Sequence, residues 1–272
     1  MRVIHIARPA KSDLDLPKGP RSEDFKPKEH GAYAILILPI VTAIACGNNS
    51  VPGWCVILAA VAGFLSHEPL LIVLGGRGKR AQRLAGSAFR RWLGLVVITS
   101  LTGGVALVMG DSEARWSLVG CLMLAGFGFM MAYRDLNRTF GAQLLGVGAL
   151  SMPVVPLQIL AGCEWQIAYQ VWAVWMLGFA ATTTSVRSIV AAKKRLPRHI
   201  HWILLATLTA CCLVWGLRGV RPWAVLPMLI AAWWLFLFPP AVRHIRRVGW
   251  TLVGVTLLTA VAMIMVHYTS QD

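Results

Sequence analysis

Lys26-Pro27-Lys28-Glu29-His30-Gly31-Ala32-Tyr33 is the stretch where a charged segment turns into an apolar one. After it come Ala34 to Leu38, Pro39 and Ile40 to Cys46, a run that only a bilayer or a large core could solvate. Polarity changes here within a few residues, so Glu29 and His30 stand at the mouth of a helix whose body is in lipid. An ionisable side chain there costs free energy unless something pairs with it. The two residues therefore read either as an interfacial pair or as part of a site.

Composition carries the same reading to the whole chain. Hydrophobic residues make up 57% of it and charged residues only 14%, and the mean hydropathy is +0.65, well beyond the balance of soluble proteins. The sequence predicts an all-α integral membrane protein. Spans of about 20 residues leave no room in 272 residues for a separate soluble domain. The expected organisation is a basic cytoplasmic tail over 1–28 and a single transmembrane helical domain over 29–272. The tail carries charges and prolines but no apolar run of the kind a secretion signal needs, so it is expected to stay on the cytoplasmic side without fixed structure.

About nine apolar segments follow, separated by short polar breaks: Gly31–Cys46, Trp54–Leu74, Trp92–Met109, Trp116–Tyr133, Phe140–Ala161, Ile167–Val190, Trp202–Leu217, Trp223–Pro239 and Trp250–His267. The first and seventh are short for a full span. Six begin with Trp (Trp54, Trp92, Trp116, Trp202, Trp223 and Trp250), which suits an aromatic belt at the membrane interface. If the tail is inside, 23 of the 26 Lys and Arg fall inside as well, and only Arg115, Arg218 and Arg221 fall outside. That bias places the N-terminus inside and the C-terminus outside a cytoplasmic (inner) membrane. The net charge of +15 then meets anionic lipid headgroups first, and no nucleic-acid partner is expected.

Cys46, Cys55, Cys121, Cys163, Cys211 and Cys212 form no C-x-x-C pair and have no His at ligand spacing, which argues against a zinc or redox site. They read as small residues in helices. No P-loop, dinucleotide fingerprint or H-E-x-x-H occurs, and His67-Glu68 runs on into Pro69-Leu70. No cofactor and no metal is expected.

The informative residues are the polar ones at span ends. Glu29 and His30 open span one, Ser66-His67-Glu68-Pro69 lies toward the inner end of span two, and Arg134-Asp135-Leu136-Asn137-Arg138 joins spans four and five. Thr182-Thr183-Thr184-Ser185, Arg187 and Ser188 close span six, and all four groups face one side. Pro69 removes a backbone donor and disfavours helix at Glu68, so span two is expected to be broken or kinked there. Irregular backbone at membrane depth survives only beside protein or a water-filled cavity, which predicts a polar cavity open to the cytoplasm. The plainer readings are a solvated turn at Arg134–Arg138, a snorkelling Arg187, hydroxyls that only serve helix packing, and a simple kink at Pro153 and Pro156. Glu68 and His67 are the hardest to read as structure alone, because ionisable residues within an apolar span mark sites more often than packing.

Pro27-Lys28-Glu29-His30-Gly31-Ala32-Tyr33-Ala34 resembles the P-K-E-H-G-A-W-A opening of the YwiC-like membrane proteins, with Tyr33 in place of the usual Trp. Glu68-Pro69-Leu70-Leu71 followed by a basic run, and Val186-Arg187-Ser188 followed by Lys193-Lys194-Arg195, extend the resemblance over most of the chain. The family has no established activity, so the resemblance implies a membrane fold and no reaction.

A more distant likeness is to the UbiA-type prenyltransferases, which also have about nine helices, a cytoplasm-facing cavity, and a first span with Pro and Gly at its start and a later Pro, like Pro27, Gly31 and Pro39 here. That likeness implies a divergent or degenerate prenyltransferase. Their two Asp-rich magnesium motifs have no counterpart, since span two ends in Ser66-His67-Glu68 and span six in Ser185-Val186-Arg187-Ser188. Hard cations need several oxygen ligands, so the chemistry on offer is cationic.

The expected function is a cytoplasm-facing cavity for an anionic amphiphile, a lipid or isoprenoid headgroup, with Glu29, His30, His67, Glu68, Arg134, Asp135, Asn137, Arg138 and Arg187 as candidate ligand-binding residues and no catalytic residue assigned. A proton-coupled transporter using Glu29, His30, His67 and Glu68 is the first alternative. A membrane scaffold subunit, in which these residues only hold helices together, is the second.

Overall fold

A computed structural model describes residues 30–47, 50–75, 85–134, 136, 139–240 and 245–269, and every described element is helical. The helices are α1 (His30–Cys46), α2 (Val51–Val73), α3 (Ala85–Met109), α4 (Ser112–Tyr133), α5 (Phe140–Ser151), α6 (Val154–Leu160), α7 (Trp165–Lys193), α8 (His199–Gly216), a 3-10 turn (Arg221–Val225) running into α9 (Leu226–Leu237), and α10 (Ile245–Thr269). With α5 and α6 taken as one pass, the nine expected segments are all present, in order.

Contacts between helix ends show how the passes alternate. At one end Tyr33 of α1 meets Phe64 of α2, His67 of α2 stacks on Phe129 of α4, and Phe140 of α5 lies 6.4 Å from His201 of α8. At the other end Tyr268 of α10 donates to the Ala45 carbonyl at 2.9 Å, and Arg221 donates to Gln170 at 3.3 Å. α1 and α10 therefore run parallel, which is what an odd number of passes requires. The end that holds Glu68 and Arg187 is called the basic end below.

Six described helices or helix pairs are long and apolar enough to cross a membrane: α2, α3, α4, α5 with α6, α8 and α10. The protein is an all-α membrane protein. α7 is not among the six, although its 29 residues make it the longest helix described. Fifteen of those residues are buried, whereas α3 buries only Ala88 and Ala106, so α7 is solvated by protein and α3 is left to lipid. α7 packs against α5, α6, α8 and α9, while α2 and α3 form a tight hairpin at the periphery.

Close packing around α7 comes from small residues and hydroxyls that bond back along the helix. Thr184 donates to the Ala180 carbonyl at 2.7 Å, and Ser185 donates both to Ala181 and, across the interface, to Ala232 of α9 at 2.7 Å. Gly178 is where α9 comes nearest, since a Cβ there would fall 2.6 Å from the Met228 sulfur.

The break expected at Pro69 is absent: α2 runs through it as one helix, the missing N–H removing a single ladder bond. The break falls instead in span five, where Met152-Pro153 separates α5 from α6.

α7 ends at a left-handed residue. Arg195 has φ 53°, its N–H bonds to Ala192, and the Leu196 N–H reaches back to Ala191 at 2.9 Å, a Schellman-type cap whose turning residue is usually glycine. An L side chain in that conformation costs about 1 kcal/mol. Arg195→Gly is expected to stabilise the fold by about that amount, read as a raised detergent-unfolding midpoint, and an unchanged or lower midpoint would show that the Arg195 side chain offsets the strain.

Candidate functional site

The turn after α7 leads through Pro197 into α8 and so fixes Arg198 and His201 at the basic end. The Arg198 guanidinium lies 4.2 Å above the Phe236 ring and donates to the Phe236 carbonyl at the end of α9. Arg187, Arg198 and His199 are the electrostatic neighbours of His201. The Arg187 guanidinium stacks 5.2 Å from the Phe140 ring, and Phe140 is held at the start of α5 by the Thr139 cap. Two aromatic faces thus carry two guanidiniums, an arrangement that orients the planar donor forks.

Two nitrogens of this cluster are buried with no hydrogen-bond partner among the described residues: Arg198 Nε and His201 Nδ1. Arg198 Nε carries an N–H that can only donate. A buried donor left unpaired costs about 1–3 kcal/mol, so the cluster favours an incoming acceptor.

Other candidates sit at the same end. Glu68 is only 2% exposed, and the His67 ring lies 5.8 Å from Phe129. Both Glu68 and His67 have interaction partners, and so does Arg187. α2 and α7 share no extended interface among the described residues. Arg134 is exposed and closes α4, its backbone N–H bonding to Met130. Glu29, Asp135, Asn137 and Arg138 lie outside the described residues, as does the tail before them, and His30 is described only as the first residue of α1.

Arg198 and His201 escaped the sequence reading, which took the basic run Lys193–Arg198 as an orientation signal. The available clue was His199-Ile200-His201 opening an apolar span directly after it. The two hollows described in the bundle both lie at the opposite end, around Arg221.

A helical membrane bundle with a cationic, aromatic-backed cluster at one end defines the class of protein. Residues 27–158, just under half of the chain, match the family described as YwiC-like protein. The match takes in the opening motif and Glu68-Pro69-Leu70-Leu71 and ends before Arg187. No curated protein and no solved structure matches the chain.

Proposed function

We propose that the basic end binds the anionic headgroup of a membrane amphiphile, a lipid or an isoprenoid phosphate, through Arg187, Arg198 and His201. The unpaired Arg198 Nε–H, in a cluster where Arg187 and Arg198 both act on His201, carries this reading, because a buried charged donor is best satisfied by an oxyanion. Phe140 and Phe236 back the guanidiniums, and the exposed apolar flanks of the bundle suit a ligand whose tail stays in the bilayer. His30, His67, Glu68, Arg134 and the undescribed Glu29, Asp135, Asn137 and Arg138 complete the proposed rim of this end.

In this reading the basic end faces the cytoplasm, as the placement of 23 of 26 Lys and Arg supports. A reporter fused after Asp272 is expected outside and one inserted within 76–83 inside; the same side for both would break the nine-pass orientation. The function itself is tested by mass spectrometry of the gently purified protein. A specific anionic lipid or isoprenoid phosphate retained by the parent and lost in Arg198→Gln supports it, and an unselective lipid profile identical in both removes it.

A further inference from the structure

Three described or sequence-assigned cations stand against the charge bias of the chain: Arg115, Arg218 and Arg221. Arg115 has a local reason, since its guanidinium donates to the carbonyls of Leu107 and Val108 at 3.0 and 3.2 Å and so closes the end of α3. Arg218 and Arg221 have no such task at a helix end. Both line one hollow of about 340 Å³, together with Gln170 and Trp215, a volume in the range of small-molecule sites.

The turn that presents them is fixed. A Cβ at Gly216 would fall 2.7 Å from the Trp223 ring, whose Nε1 donates to the Gly216 carbonyl, so residues 216–223 close on themselves. Arg221 is then oriented by its bond to Gln170 on α7 at 3.3 Å. Arg221 also borders a narrower recess between α1, α6, α7 and α10, lined by Thr42, Gln158 and His267. Gln158 is 3% exposed and its Oε1 has no hydrogen-bond partner among the described residues. The recess itself holds about 10 Å³, room for one water-sized group.

A rim with two guanidiniums and a deeper, unpaired amide oxygen complement a ligand with an oxyanion at one point and a hydroxyl donor at another. We infer that the end opposite the basic end carries a second site, at Arg218, Arg221 and Gln158, for a phosphate-type anion bearing a hydroxyl group. A polyol phosphate from solution and the glycerol phosphate headgroup of an anionic lipid both have this chemistry. The site shares no residue with the Arg187 cluster and stands independently of the function proposed for it.

The test uses the full chain in nanodiscs of zwitterionic phosphatidylcholine, titrated with glycerol phosphate and with inorganic phosphate, and a second preparation containing phosphatidylglycerol. Glycerol phosphate binding is expected to fall about 10-fold or more in Arg218→Gln and Arg221→Gln, since each removes a charge-assisted contact. Gln158→Leu is expected to lower glycerol phosphate affinity to that of inorganic phosphate while leaving the latter unchanged. Retention of phosphatidylglycerol alone, abolished by Arg218→Gln, assigns the same site to a lipid headgroup. Signals lost in Arg187→Ala but kept in Arg218→Gln would belong to the basic end and count against this site. Arg221→Gln also removes the Gln170 contact, whereas the exposed Arg218 side chain makes no hydrogen bond among the described residues, so Arg218→Gln keeps the test valid if the other variant fails to fold. No binding of either probe together with no retention of phosphatidylglycerol, or binding equal in Arg218→Gln and the parent, overturns the inference.

Discussion

Arg187→Lys is expected to weaken headgroup binding nearly as much as Arg187→Ala, by about 10- to 100-fold, the scale of one charge-assisted hydrogen bond. Charge alone does not explain such a loss, because lysine keeps it. The arginine fork is planar and lies against the Phe140 ring, so its N–H edges are aimed; an ammonium on a flexible stem loses both the stacking and the two-point geometry. If Arg187 serves only to orient the chain, lysine substitutes freely, and equal binding by Arg187→Lys and the parent would refute the site. The measurement is retention of a phospholipid or isoprenoid phosphate, read for all three proteins in the presence and absence of a chelator. Binding assigned to guanidiniums persists in chelator. Strict magnesium dependence would instead favour the prenyltransferase-like clamp, with Glu68, Asp135 and Glu29 as its carboxylates.

The largest effect on stability is expected at Trp175. It is fully buried in α7 and stacks on Phe179 with centroids 5.4 Å apart. Trp175→Ala removes the largest side chain of the core and leaves a cavity that rigid neighbours fill only in part, at a cost of about 3–5 kcal/mol. Trp175→Phe is a different matter. The indole Nε1 has no hydrogen-bond partner among the described residues, so losing that N–H removes a penalty and offsets part of the lost volume. The expected cost for Phe is about 1.5 kcal/mol or less, as for other shape-conserving changes. Detergent-unfolding midpoints check both, and a Phe variant as unstable as the Ala variant would mean that the N–H contributes to the fold.

The passes of this fold were legible because hydropathy in a bilayer is decided residue by residue, without reference to distant parts of the chain. Span two was expected at Trp54–Leu74 and is Val51–Val73. Span three shows the limit: it was expected to start at Trp92 but starts at Ala85, because Arg90 and Arg91 read as a break while the helix continues through the polar interface. The site was legible only in its isolated members. Arg187 and Glu68 stand out against apolar surroundings, but Phe140, Arg187, Arg198 and Phe236 come from four different passes, and no local pattern reports such convergence. The break in span five was visible as two prolines, whereas the single Pro69 costs one ladder bond and leaves α2 unbroken.

The burial of α7 has a consequence for how the chain is made. A segment carrying Gln166, Gln170, three successive threonines and Arg187 is a poor substrate for independent entry into lipid, and in the finished bundle its neighbours are α5, α6, α8 and α9. Two of those partners are synthesised after it. α7 must therefore wait, shielded by α5 and α6 or by the insertion machinery, until α8 and α9 arrive. Chains stopped after α7 are expected to be cleared by membrane quality control faster than chains stopped after α4, whose exposed apolar faces are already at home in lipid.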